Sequence, residues 1–261
     1  MGYFDNLFSR GNGDDDPRVK KPESPKKSPE VRANLNELPR GEFREAVFTD
    51  NFFGRPKELP ESFKEVNCNV PNFGELSGYS DYGGDGSKYE SENQDAMVVV
   101  FSADGKKLLL SVIDGVGGMS QGRRAATVCV EGLVEAMKIS KLSLPDLMQL
   151  ANDKIREDGS GGETTGVGVL IEEGGLVTMI GIGDSKAMTV RRGEVLSEGK
   201  TKMQNVAAYF HGENTPGYYS ANNNHIITNS LGGEDVLRSV ELVSFQGEEG
   251  DVIVLASDAL W

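Results

Sequence analysis

Two apolar runs, Ala96-Met97-Val98-Val99-Val100-Phe101 and Leu108-Leu109-Leu110-Ser111-Val112-Ile113, are separated by a short polar stretch containing Ala103-Asp104-Gly105-Lys106. An Asp-Gly pair between apolar runs is a strong hairpin signal, so the two runs are expected to pair as adjacent antiparallel strands. A hairpin brings its far ends together. Asp95 opens the first run and Asp114 closes the second, so the pairing would set two carboxylates side by side at the edge of a core. A carboxylate in such a place is costly unless it is paired, hydrogen-bonded or bound to a metal. The stretch Asp114-Gly115-Val116-Gly117-Gly118 adds glycines that let another group approach the backbone closely. A third aspartate, Asp258, closes the apolar run Val252-Ile253-Val254-Leu255-Ala256. The expectation is that these three meet.

Around this hairpin, strand and helix signals come in blocks. Helical recurrence of Ala125, Ala126, Cys129, Leu133, Ala136 and Met137 predicts a helix from Gln121 to about Ile139. A second is predicted over Leu144–Arg156, with Ser143 as cap and Pro145 in the first turn. Strands return at Gly166–Ile171, Leu176–Gly183 and Ala187–Val190, with further candidates at Ile226–Thr228, Val240–Val243 and Val252–Ala256. Runs of strands and runs of helices, rather than strict alternation, indicate an α+β fold with an antiparallel sheet packed on helices. Thr201 to Asn224 is polar and irregular, a long loop of the kind that is usually functional or mobile.

Residues 1–60 read as a low-complexity, disordered tail and 61–261 as the folded domain. Asp, Lys, Pro, Ser and Glu dominate from Gly11 to about Arg40, and such a composition cannot bury enough apolar surface to offset its ordering entropy. From Gly41 to Asp85 scattered aromatics without a period suggest a loosely structured approach to the domain. Asp81 to Glu92 echo a calcium loop only poorly, because Gly83 lacks the side-chain oxygen such a loop needs. The formal net charge of −14 argues against nucleic acid as a partner, since such proteins carry a basic face. It fits a cation-binding protein and equally fits plain solubility. No apolar run approaches the roughly 20 residues that span a bilayer, so no membrane partner is expected. Two cysteines, Cys68 and Cys129, are too few for a disulfide framework, which makes a cytoplasmic location the simplest expectation.

Carboxylates, carbonyls and water are the ligands of hard divalent ions, whereas zinc prefers Cys and His. With only His211, expected on a loop surface, and His225, expected to be structural, zinc is improbable. Two hard ions bridged by aspartates activate water and stabilise displacement at phosphorus, so phosphate-ester hydrolysis is the natural expectation.

Five segments then carry a resemblance. Asn93-Gln94-Asp95, Asp114-Gly115-Val116-Gly117-Gly118, Gly162-Glu163-Thr164-Thr165-Gly166, Gly183-Asp184-Ser185-Lys186 and Ala256-Ser257-Asp258-Ala259-Leu260-Trp261, in this order, resemble the metal-dependent type-2C (PPM-type) serine/threonine protein phosphatases. The resemblance covers about Tyr89 to Trp261. It implies an antiparallel β-sandwich flanked by helices around a binuclear Mn²⁺ or Mg²⁺ centre. Asp95, Asp114 and Asp258 would be the metal-binding carboxylates of the catalytic site, with the Gly115 carbonyl as a further ligand. Asp184 would serve a third, weaker metal site, and Gln94 would orient a water at the metals. The 201–224 loop would correspond to the family's variable flap.

The departures are specific. Glu90 stands where the family usually has a phosphate-clamping Arg, with Lys88 as a nearby replacement. Val116 replaces the histidine of eukaryotic members, which points to a bacterial-like form, and Ala259 stands where Gly is usual. The family's final metal-binding Asp, with its last strand and helix, would lie downstream of Trp261, so the chain reads as incomplete at its C-terminus. The resemblance implies hydrolysis of phosphoserine and phosphothreonine on protein substrates, opposed by a Ser/Thr kinase. The alternative from another class is a catalytically weak or inactive phosphatase-like binding module. A small phosphate ester as substrate is the third reading.

Overall fold

The expected hairpin forms the middle of the largest sheet. Strands β1 (Glu45–Phe48), β2 (Phe63–Val70), β3 (Gly74–Asp81), β4 (Asp95–Phe101) and β5 (Lys107–Gly115) are followed by helices α1 (Gly122–Met137) and α2 (Leu144–Asp158). Then come β6 (Thr164–Glu172), β7 (Leu176–Ile182), β8 (Lys186–Arg191), β9 (Glu194–Lys200), α3 (Val206–His211), α4 (Pro216–Ser220), β10 (Leu242–Gln246) and β11 (Val252–Ala256). The computed structural model describes residues 45–48, 63–70, 73–81, 94–116, 121–213, 215–220, 222–223, 225–233 and 240–260.

Six strands form one antiparallel sheet in the order β1-β4-β5-β6-β7-β10, three form a second in the order β11-β8-β9, and β2 pairs with β3. Strand parity assigns the faces of the large sheet, because alternate residues point to opposite sides. Ala96, Val98 and Val100 of β4 and Leu109 and Ile113 of β5 pack with Ala125, Cys129 and Leu133 of α1 and Leu147 and Met148 of α2. On the other face Val167, Val169, Val177 and Met179 pack with Ala187 of β8, and Leu196, Ile253 and Leu255 join them. Helices, large sheet and small sheet therefore stack as three layers. Central strands covered on both faces have no solvent side to fill with polar residues. That is why β4 and β5 read as almost continuous apolar runs.

The α1 and α2 bounds agree with the helical periodicity to within two residues. Ser143 caps α2 in a reciprocal box: its hydroxyl accepts from the Asp146 amide while the Asp146 carboxylate accepts from the Ser143 amide. Gly159 ends the helix in the left-handed region at φ 68°.

Elsewhere the structure departs from expectation. The segment read as a loose approach contains the β2–β3 hairpin, where Val70 packs with Val99, Phe101 and Leu108 and is joined by Phe73 and Leu76. Its mixed polar and apolar strand has no clean period because only part of it meets the core. β1 pairs with β4 inside the segment assigned to the tail. Ile226–Thr228 is no strand: Ile227 makes a single bridge to Asn205. Val240–Val243 is displaced, with the strand at Leu242–Gln246. Thr201–Asn224 is more ordered than a loop, carrying α3, capped by the Asn205 side chain on the Ala208 amide, and α4. Residues 1–44, most of the calcium-like stretch, Gly117, Gly118 and Trp261 lie outside the described residues.

One packing detail is testable. Gly168 in β6 faces α2, and a Cβ there would collide with the terminal methyl of Met148 and approach Leu144 Cδ1 at 3.2 Å. Gly168→Ala should cost about 1–3 kcal/mol by overpacking, read by urea unfolding. In the Met148→Ala background the new methyl occupies vacated space. The two costs should therefore fall short of additive by at least about 0.5 kcal/mol.

Candidate metal centre

Register places Asp95 directly opposite Asp114 at the open end of the β4–β5 hairpin. Parity then aims both side chains. Asp95 shares its face with Val99 and Phe101, and Asp114 shares its face with Leu110 and Val112, so both point away from α1 and toward the second sheet. The carboxyl groups hydrogen-bond to each other, which requires one of them to carry the proton. Ser257 Oγ, just after β11, donates to Asp95 Oδ2 at 3.4 Å. Asp258 follows in an exposed 3-10 turn, Asp258–Leu260. Asp184 is 4% exposed, in the turn between β7 and β8.

The electrostatics tie the four aspartates together. Burial, then the charge and hydrogen bond of Asp95, then the charges of Asp258 and Asp184, push the Asp114 carboxyl up to about 9. Burial chiefly raises Asp95, with the Asp258 charge adding to it and the hydrogen bonds from Asp114 and Ser257 opposing it. Burial and the Asp258 charge raise Asp184 to about 6. The neighbours that act on Asp114 are all carboxylates, and like charges crowded into a desolvated space favour neutral forms.

The surrounding backbone is drawn in tightly. Gly115 N–H donates to the Gln94 carbonyl at 3.2 Å, and Val116 N–H donates to the Glu163 carbonyl at 3.0 Å. Thr164 Oγ1 donates to the Asp114 carbonyl at 2.6 Å. A Cβ on Gly115 would lie 2.5 Å from the Gly122 carbonyl carbon, so glycine is required where α1 begins against the strand end. The buried Oε1 of Gln94, 2.7 Å from where a Cβ on Gly122 would lie, accepts no hydrogen bond among the described residues. Burying an acceptor without a donor is costly.

These features fit hard divalent ions. Carboxylate oxygens and a strand-end carbonyl are the donors that Mg²⁺ and Mn²⁺ take. A cation would relieve the crowding of like charge, and the Gln94 acceptor suits a water's hydrogen. Among the described residues, however, no group of three or more His, Cys, Asp or Glu is arranged as a ready-made metal cage. Asp95 and Asp114 meet directly, whereas Asp258 acts on both through charge and Asp184 on Asp114. Glu90 and Lys88 lie outside the described residues. His225, expected to be structural, is exposed near the isolated Asn205–Ile227 bridge. His211 is exposed at the end of α3.

Sequence reasoning assigned no role to Thr165 and Ser185. Thr165 pairs with Asp114 across β5–β6, and its hydroxyl meets the Ser185 hydroxyl at 2.7 Å, linking the large sheet to the turn that carries Asp184. Both residues lie inside quoted motifs. A hydroxyl at the end of an otherwise apolar strand, two positions from its first valine, was the available signal.

The architecture is similar to that of solved bacterial type-2C, PPM-type serine/threonine phosphatases. A serine/threonine phosphatase from S. agalactiae matches at 28% identity and a TM-score of 0.54, over 65% of this chain and 75% of its own. PstP/Ppp of Mycobacterium tuberculosis matches at 24% identity and a TM-score of 0.52, over 65% and 74% respectively. The catalytic domain of PstP in complex with 2 manganese ions matches at 20% identity and a TM-score of 0.50, over 84% and 78%. No protein-family model and no curated protein matches the sequence. The likeness therefore lies in the arrangement of the strands more than in the sequence.

Asp114 makes the stability of the metal-free protein depend on pH. Its folded-state carboxyl ionises near 9 against an ordinary value of 3.8, so its contribution to stability is full below pH 4 and is lost as pH rises toward 9. Asp114→Asn removes that loss and keeps a donor for Asp95. In the presence of chelator its melting temperature should exceed that of the wild type at pH 8, with the difference shrinking toward pH 4. A variant less stable than the wild type at pH 8 would contradict the assigned electrostatics.

Proposed function

We propose that the protein hydrolyses phosphoserine and phosphothreonine on protein substrates in a reaction that depends on Mn²⁺ or Mg²⁺. The observation that carries this reading is the facing pair Asp95 and Asp114, crowded by Asp184 and Asp258 at the end of two facing sheets. Asp95, Asp114 and Asp258 would hold two ions with the Gly115 carbonyl, and Asp184 a third. When bound, the ions supply an activated water and neutralise charge at phosphorus.

The chain's own part is positional. The β4–β5 register fixes the carboxylate spacing, the Thr164 hydroxyl holds the Asp114 backbone, and the buried Gln94 Oε1 would accept a hydrogen bond from a water at the metals and orient it. Partial burial of Asp95 and Asp114 between the sheets strengthens each charge interaction there. The same reading places the protein in the cytoplasm, opposite a Ser/Thr kinase.

A second reading, a phosphatase-like binding module with little or no activity, is favoured by Glu90 where the family carries its phosphate-clamping Arg. A negative charge there repels a phosphate dianion. The two readings separate in one assay. The 261-residue chain is incubated with phosphoserine and phosphothreonine peptides and Mn²⁺, and released phosphate is measured. The enzyme reading expects turnover that chelator abolishes and that Asp114→Asn lowers by roughly a hundred-fold or more. Mn²⁺ binding without turnover would establish the binding module instead.

A further inference from the structure

Four of the five residues from Gly183 to Ala187, the β7–β8 turn and the start of β8, are gripped from other segments. Gly183 N–H donates to Gln204 Oε1 at 3.0 Å and its carbonyl accepts from the Gln204 amide at 2.6 Å. Ser185 meets Thr165. Lys186 forms an ion pair with Glu213. Ala187 N–H donates to Thr201 Oγ1 at 3.0 Å, and its carbonyl accepts from the Thr201 amide at 3.0 Å. Three of the four partners, Thr201, Gln204 and Glu213, belong to the stretch that runs from the end of β9 through α3. Asp184 lies in the middle of the gripped residues.

The ion pair stands out among these contacts. The Lys186 side chain is 5% exposed and that of Glu213 is 18% exposed, so both charges are largely removed from water. Withdrawing two charges from water is costly, and a buried pair stabilises little compared with apolar packing. What it supplies is geometry. Glu213 uses its other oxygen to accept from the Met203 amide, so one carboxylate joins the start of β8 to the chain on both sides of α3.

We propose that Glu213 is a positioning residue: through Lys186 it sets the turn that carries Asp184, so that ion binding at Asp184 and ordering of the 201–213 stretch are coupled. The proposal rests on the metal-centre reading above. Coupling of this kind is reciprocal. An ion that fixes Asp184 rigidifies the gripped turn and with it residues 201–213, and removing the anionic partner of Lys186 loosens Asp184 toward the ion. Substituting groups that orient metal ligands typically weakens affinity roughly ten- to a hundred-fold.

The test is calorimetric titration of the 261-residue chain with Mn²⁺ alone, paired with hydrogen exchange. Glu213→Gln should weaken Mn²⁺ binding by about ten-fold or more, while Lys186→Arg, which keeps the pair, retains wild-type affinity. Saturating Mn²⁺ should slow exchange of the Met203 and Gln204 amides in the wild type and have little effect on them in Glu213→Gln. Wild-type affinity in Glu213→Gln, or equal loss in both variants, overturns the coupling and leaves the metal centre standing. Should Glu213→Gln fail to fold, the wild-type exchange decides: amides in 201–213 indifferent to bound Mn²⁺ overturn the proposal. A wild-type chain that binds no Mn²⁺ overturns both this proposal and the reading beneath it.

Discussion

The half-buried pair Asp95 and Asp114 is the constraint around which the described structure is organised. Asp95 opens one apolar strand and Asp114 lies at the close of the next, and the β4–β5 register leaves them facing each other. The sheet cannot slip by one residue to relieve this, because a slip would turn every core side chain of the strand to the wrong face. The packing that stabilises the fold thus holds two carboxyl groups where they repel each other, and burial with that mutual charge favours the neutral form of Asp114. Local strain of this sort is characteristic of sites where a ligand completes the arrangement.

The layers explain why the site is at this end. α1 begins directly against Gly115, close enough that no Cβ fits between them, so the helix covers the outer face of the strand end and leaves the inner face open. β8 and β11 bring Asp184 and Asp258 from the facing sheet to the same end. The site is therefore a junction of the two sheets. The Thr165–Ser185 hydroxyl contact and the Lys186–Glu213 pair are among the side-chain links, with Gln204 and Thr201, that hold the small sheet's turn in place.

Much of this is legible in the sequence. The Asp-Gly turn and two apolar runs were enough to predict the hairpin and the meeting of Asp95 with Asp114, because antiparallel pairing with a short turn leaves little freedom of register. Both long helices were legible from a 3.6-residue period and the Ser143 cap. What escaped was decided by tertiary contact. The β2–β3 hairpin and β9 have mixed patterns because only some of their residues meet the core. Glu213 looked like an ordinary loop acid, and nothing in its neighbours marks it as the partner of a buried lysine 27 positions earlier. Asp258 is expected from the sequence to meet the pair directly, and the structure shows its charge raising both Asp95 and Asp114.

The central claim is that the facing carboxylates form a centre for hard divalent ions. Anomalous diffraction at the manganese edge, from crystals of the chain grown with Mn²⁺, tests it most directly. The account predicts a peak between the two sheets within coordination distance of Asp95 and Asp114, about 2.0–2.3 Å from their oxygens, with Gln94 Oε1 turned to an ordered water. A Mn²⁺ that binds elsewhere, with the Asp95–Asp114 hydrogen bond intact and no peak beside it, would contradict the account.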